Sequence, residues 1–83
     1  MSHTDRFAAS HIYTEQLRAL QTATEEAVEA HEHWMRAVRR TERFEGSDCD
    51  ATTLDMVQRA ETAAREAWIL AEKDMKEAAK FFA

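Results

Sequence analysis

The chain has 83 residues, of which 45% are hydrophobic, and a formal net charge of −5 from 16 acidic and 11 basic residues. This length suits a single small domain, and the apolar fraction argues against a disordered chain of low hydrophobicity. The negative charge argues against nonspecific nucleic-acid binding, which needs a basic surface, and no apolar run reaches the ~20 residues that span a bilayer.

The distribution of helix breakers predicts a helical hairpin. The chain has one glycine, Gly46, and no proline, and the residues on either side of Gly46 are mostly strong helix formers. We therefore predict an all-α fold, a long antiparallel two-helix hairpin that forms one domain over residues 1–83. Helix one is expected over about residues 4–44, the turn over 45–50, and helix two over about residues 51–82.

The ends of both helices carry capping signals. Ser2 with Asp5 resembles a capping box at the start of helix one. Gly46 fits the position just past the end of helix one, where a left-handed backbone is easiest for glycine. The following residues include three candidate caps for helix two, which are Ser47, Asp48 and Asp50.

An apolar repeat with alternating spacings of three and four predicts how the helices pair. In helix one it comprises Tyr13, Leu17, Leu20, Thr24, Ala27, His31, Trp34, Val38 and Thr41. In helix two it comprises Leu54, Val57, Glu61, Ala64, Trp68, Ala71, Met75, Ala78 and Phe82. If the chain reverses near residue 47, facing residues have numbers that sum to about 95, because both helices rise equally per residue. Tyr13 should therefore face Phe82, and Ala27 should face Trp68.

Helix two carries more apolar surface than one neighbouring helix can cover. The run from Trp68 to Ala71 is apolar almost all the way round the helix, and the start of helix one extends past the paired length. Such surfaces mark interaction sites, so we expect a homodimer that forms a four-helix bundle. The candidate oligomer contacts are Phe7, Ile12, Trp68, Ile69, Leu70, Phe81 and Phe82.

Two polar residues, His31 and Glu61, fall in the predicted core. Glu61 is expected to face Trp34, whose indole N–H can donate a hydrogen bond, about one turn from His31. One interpretation is structural, because buried polar residues at such positions specify helix register. The alternative is a ligand- or metal-binding bundle that uses the inward-facing polar residues His31, Trp34 and Glu61.

The segment between Glu25 and His33 is dense in residues that could bind metal. Only His31 is expected to point inward, and Glu29 with His33 could share a surface ion at i, i+4 spacing. Glutamates with this spacing also form ordinary charged helix surfaces. We therefore predict no resident metal ion or cofactor.

The same glutamates resemble part of a catalytic pattern. Glu26-x-x-Glu29 and Glu29-x-x-Glu32 are similar to the Glu-x-x-Glu motif of all-α nucleotide pyrophosphohydrolases of the MazG type. That resemblance implies magnesium bound over a nucleoside triphosphate. The family's second motif, Glu-x-x-Asp, is missing here, because Asp74 follows Glu72 after only two positions. This enzyme class is kept as a second alternative.

Together these patterns favour a small non-enzymatic interaction or adaptor protein. We expect a homodimer that presents an acidic surface, formed by Glu25, Glu29 and Glu32, to an unidentified protein partner. No nucleic acid or membrane is expected as a partner. The single cysteine, Cys49, excludes an internal disulfide and favours a cytoplasmic location.

Overall fold

The computed structural model describes the backbone of residues 3–83 and the side chains of residues 10–83. It contains two α-helices, α1 (His3–Glu45) and α2 (Ala51–Ala79), which pack against each other as a hairpin, and no strand occurs in this described part. The predicted all-α hairpin is confirmed. Neither helix includes, within the described residues, a stretch long and apolar enough to cross a membrane. The predicted Ser2–Asp5 capping box and the predicted contact Phe7 lie outside the described side chains.

The end of α2 differs slightly from the predicted end of helix two. The α-helix ends at Ala79, and a short 3-10 helix (Lys80–Phe82) follows it. The N–H of Lys80 donates to the carbonyl of Glu77, three residues earlier, and the N–H of Ala83 donates to that of Lys80. The last turn therefore tightens to i, i+3 bonds, a common way to satisfy carbonyls at a helix end.

The connection between the helices corrects the prediction for Gly46. Its φ is not positive, and its N–H donates to the carbonyl of Glu42 at 3.1 Å, which continues the helical pattern. A left-handed residue just past a helix end commonly brings N–H groups to the last carbonyls. Here the carbonyl of Phe44 instead accepts from the N–H and hydroxyl of Ser47, at 3.2 and 3.0 Å, and from the thiol of Cys49 at 3.2 Å.

Gly46→Ala should leave the protein as stable as before or raise its free energy of unfolding by about 0.4–1 kcal/mol. A Cβ at Gly46 would meet only the carbonyl oxygens of Glu42 and Arg43, at 3.6 and 3.9 Å, which are ordinary contacts. The added methyl group also restricts the unfolded chain. Urea unfolding at fixed protein concentration measures the change, and a loss of more than about 1 kcal/mol would contradict a backbone that alanine can adopt.

Asp50 is the residue that caps α2, among the three candidates. Its backbone is extended, and its Oδ1 accepts a hydrogen bond from the N–H of Thr53 at 2.7 Å. Hydrogen bonds from Thr53 favour the charged carboxylate and lower the pKa of Asp50 below its ordinary value of 3.8. Because the pKa is lower when folded, the ionised cap stabilises the fold above pH 3.8, and this contribution is lost as the pH falls through the folded pKa.

The Asp50→Asn variant should therefore be less stable than the unmodified protein near neutral pH. In acid the two proteins should be equally stable. Asparagine keeps a side-chain oxygen that can cap the helix, but it cannot ionise. We expect the difference in melting temperature between the two proteins to shrink as the pH falls below 3.8. Thermal unfolding followed by circular dichroism at several pH values measures it. A difference that is independent of pH would contradict a role for the charge.

The interface between the helices is narrow. Its buried residues within the described part are Ala27, Ala37, Ala64 and Thr41, and no large side chain there is fully buried. Thr41 satisfies its hydroxyl within α1 by donating to the carbonyl of Ala37 at 3.0 Å. The hairpin measures 71 × 17 × 13 Å, so it is an elongated rod, two helices thick in one direction and one in the other.

The register of the hairpin agrees with the sequence repeat at its open end. The rings of Tyr13 and Phe82 meet edge to face, with centroids 5.6 Å apart. These are the residues that the reversal near residue 47 predicts to face each other. The contact between Tyr13 and Phe82 therefore agrees with the register that the apolar repeat predicts.

Candidate interaction surfaces

A cluster of three aromatic side chains occupies the middle of the hairpin. Trp34 of α1 stacks on Trp68 of α2, with ring centroids 5.0 Å apart and ring planes 14° apart. His31 contacts both indoles edge to face, at 5.3 Å from Trp68 and 6.0 Å from Trp34. Stacked and edge-to-face arrangements are favourable for aromatic pairs, so this cluster gives the two helices a specific contact.

The structure brings two members of the predicted polar site together, His31 and Trp34, but it corrects the hydrogen bond predicted between Trp34 and Glu61. Nε1 of Trp34 is buried without a hydrogen-bond partner, so the expected bond to Glu61 is not formed. His31 is exposed at the edge of the cluster, and Glu61 is half-buried. The stack on Trp68 fixes the orientation of the Trp34 indole, and that orientation leaves the donor unpaired at a cost of about 1–3 kcal/mol.

A groove of about 350 Å³ lies beside the aromatic cluster, on one face of the hairpin. We call this side the groove face. Glu32 and Glu72 stand in its wall, and each is paired on its own helix, Glu32 with Arg36 at 3.7 Å and Glu72 with Lys76 at 2.7 Å. The residues that line the groove are Ala27, Val28, His31, Glu32, Trp68, Glu72 and Met75. It therefore combines an apolar floor with carboxylates, and Val28 is 54% exposed there.

The predicted acidic surface is accessible. Glu25, Glu29 and Glu32 are all exposed on α1, and Glu32 also lines the groove. The ion pair between Glu32 and Arg36 is solvent-exposed, so it neutralises the surface only weakly. The acidic surface and the groove therefore adjoin each other through Glu32.

A second apolar stripe runs along α2, on a side that α1 does not cover. Its ends are Met56, which is 65% exposed, and Leu70, which is 62% exposed. Three exposed alanines lie between them, Ala60, Ala63 and Ala67, and the spacing alternates between four and three as in the buried repeat. The sequence shows these residues as one broad small-residue face. The structure divides this face in two. Ala64 is 4% exposed and packs on α1, whereas the alanines of the stripe stay exposed.

The open end of the hairpin is aromatic and exposed. The rings of Phe81 and Phe82 meet edge to face at 5.1 Å, and Phe82 contacts Tyr13. The predicted oligomer contacts Ile12, Ile69, Leu70, Phe81 and Phe82 are all exposed, and Trp68 is half-buried. They are accessible to a partner, and their contact with a second chain stays a prediction.

The residues considered for metal binding do not converge. Among the described residues, no group of three or more histidine, cysteine, aspartate or glutamate side chains is arranged to hold a metal ion. Glu29 and His33 are both exposed on α1. Cys49 is half-buried in the turn, where its thiol contributes to the capping of α1.

Comparison with known proteins gives no family assignment. No protein-family model, curated protein or solved structure matches the chain. The functional conclusion therefore depends on the surfaces described above.

Proposed function

We propose that the chain is a non-enzymatic interaction protein, a homodimer of helical hairpins that presents its acidic surface to a protein partner. One observation carries this proposal: large apolar side chains remain exposed along most of the hairpin, while the buried residues among 10–83 are three alanines and one threonine. A chain that buries so little apolar surface by itself gains stability by burying more of it against another chain.

The surface area supports pairing. The chain exposes 6642 Å², whereas a compact protein of its mass, 9.6 kDa, exposes about 5,100 Å². The surplus, about 1,500 Å², exceeds the roughly 800 Å² that each partner buries in a standard stable interface. A second copy is the economical partner, because a two-fold dimer covers the same face on both chains.

The charge distribution supports a basic partner at the acidic surface. Glu25, Glu29 and Glu32 project from one side of α1, and the whole chain carries a net charge of −5. The adjoining groove offers an apolar floor between Val28 and Trp68. A partner that combines positive charge with an apolar side chain would therefore complement both features.

A ligand-binding bundle is the second candidate, and one observation favours it. The buried N–H of Trp34 lacks an acceptor in the aromatic cluster beside the groove. A small molecule with an acceptor atom that enters between the helices would satisfy this donor, which no groove-lining residue provides. Metal analysis and mass spectrometry of untagged protein, purified under native conditions, distinguish a retained ligand from an empty bundle.

Reversing the acidic surface tests the partner proposal. The triple variant Glu25→Lys, Glu29→Lys, Glu32→Lys should fail to retain a protein that the unmodified chain captures from extracts of its source cells. Once that protein is identified, its association rate constant with the triple variant should be roughly tenfold or more below that with the unmodified chain. The salt dependence of this rate constant should also be weaker. Stopped-flow or surface-based kinetics at several salt concentrations measure both.

The matched control reverses three exposed glutamates outside both the acidic surface and the second apolar stripe, Glu15, Glu42 and Glu77. This variant should keep the association rate of the unmodified chain. Circular dichroism checks that both variants stay helical. An unchanged association rate for the triple variant would contradict the proposal and show that the acidic surface is only a solvated helix face.

A further inference from the structure

We infer that a second copy of this chain packs on the second apolar stripe, with the two α2 helices antiparallel and the two-fold axis passing at Ala63. This arrangement depends on the homodimer proposed above and assigns its contact face. The stripe runs from Met56 through Ala60, Ala63 and Ala67 to Leu70.

The stripe is complementary to its own reverse. Met56 and Leu70 lie at equal distances along the chain from Ala63, and Ala60 and Ala67 lie between. In an antiparallel pair centred on Ala63, Met56 therefore faces Leu70 of the second copy. Ala60 likewise faces Ala67 of the second copy. Every residue of the stripe is then covered by a residue of the same stripe, as a two-fold interface requires.

The sizes of the side chains fit two helices that cross at Ala63. Small residues at a crossing point allow the helix axes to approach closely. The axes diverge on either side, and the larger side chains of Met56 and Leu70 stand where the gap widens. Both are strongly exposed in the single hairpin, at 65% and 62%, so the contact would cover the two most exposed large apolar side chains of the described residues.

The charges beside the stripe select the antiparallel orientation. Arg59 and Glu66 both lie on the flank of the stripe away from the helix interface, and both are exposed. Arg59 pairs with Asp55 at 2.9 Å, yet its side chain remains 81% exposed and accessible to a second acid. An antiparallel pair centred on Ala63 brings Arg59 near Glu66 of the second copy, twice by symmetry. A parallel pair would instead place the two Arg59 side chains together.

The acidic surface and the groove stay free in this arrangement. The stripe's side of the hairpin carries a small groove lined by Ala37 and Ala60, whereas the larger groove beside the acidic surface is lined by Val28 and Trp68. The dimer would thus use one face for its own assembly and leave the groove face for a partner. Ile69, predicted as an oligomer contact, lines the groove face beside Trp68 and lies outside this pairing.

Disulfide trapping tests the position of the axis. In a Cys49→Ser background, Ala63→Cys should form a covalent dimer with oxidised glutathione, because the two introduced thiols lie close together across the axis. The matched control is Ala67→Cys, on the same stripe. Its two copies would lie about 12 Å apart along the helix axis, too far for a disulfide. The double variant Ala60→Cys, Ala67→Cys should again form the covalent dimer.

Sedimentation of the unmodified protein separates failure of this inference from failure of the proposed homodimer. A reversible dimer together with trapping at Ala63 and no trapping at Ala67 supports the inference. A dimer in which Ala63→Cys is not trapped, or in which Ala67→Cys is trapped equally well, overturns the Ala63 axis and leaves the homodimer standing. A protein that remains monomeric at all concentrations up to about 100 µM overturns both the inference and the homodimer.

Discussion

Leu70→Glu is expected to dissociate the proposed dimer. Leu70 is 62% exposed in the hairpin, and pairing would bury it twice, once from each chain. A glutamate there loses the apolar contact and brings an unpaired carboxylate into an apolar interface. We expect the dissociation constant to rise at least roughly 100-fold, which corresponds to about 2.8 kcal/mol. Sedimentation equilibrium over a range of protein concentrations measures the constant.

Val28→Glu is the matched control for this experiment. Val28 is a comparably exposed apolar residue, at 54%, but it lines the groove on α1. The two variants add the same negative charge, so a general effect of net charge would weaken both dimers equally. We expect the dimer of the Val28 variant to keep its affinity. If Leu70→Glu sediments like the unmodified protein, α2 does not form the contact.

Trp68→Ala should cause the largest loss of hairpin stability. Trp68 is the only residue of α2 that stacks on Trp34, and it also contacts His31. Removing an aromatic side chain from a core costs about 3–5 kcal/mol, and the half-burial of Trp68 places the expected loss near the lower end. Little else in the described part of the interface could compensate, since its buried residues are alanines and a threonine. Urea unfolding monitored by circular dichroism gives the change.

Trp68→Phe separates stacking from overall unfolding. Phenylalanine keeps an aromatic face against Trp34, so we expect it to recover most of the lost stability. The near-ultraviolet circular dichroism of the coupled indoles should disappear in both variants, because each lacks the second indole. Protein concentration must be held constant, since the proposed dimerisation would contribute to the measured stability. Equal unfolding midpoints for Trp68→Ala and the unmodified chain would show that the stack contributes nothing.

The proposed arrangement links the folding of the hairpin to its assembly. A two-helix rod with a narrow interface is marginal by itself, as small domains generally are. Covering the second apolar stripe would add apolar burial that the single chain lacks. The melting temperature should then rise with protein concentration, as for other dimers whose subunits gain stability on pairing.

Some features of the hairpin follow from local chemistry and could be predicted from the sequence. The single breaker Gly46 locates the turn, and the repeat of three and four locates the face of each helix that packs inward. The same repeat gives the register, which the contact between Tyr13 and Phe82 confirms. These features depend on backbone propensity, on spacing along the chain and on the equal rise of both helices, so they need no knowledge of side-chain conformations.

Other features depend on both helices at once, and only the tertiary structure decided them. Trp34 could donate to Glu61 or stack on Trp68, and the stack was selected because the indole of Trp68 reaches across the helix interface. Gly46 kept a helix-like backbone because donors from Ser47 and the turn satisfied the end of α1. The small residues of α2 divided into a buried set and an exposed stripe only once α1 covered one side. Side-chain conformations and packing depend on the shape of the neighbouring helix, and a repeat along the sequence does not describe that shape.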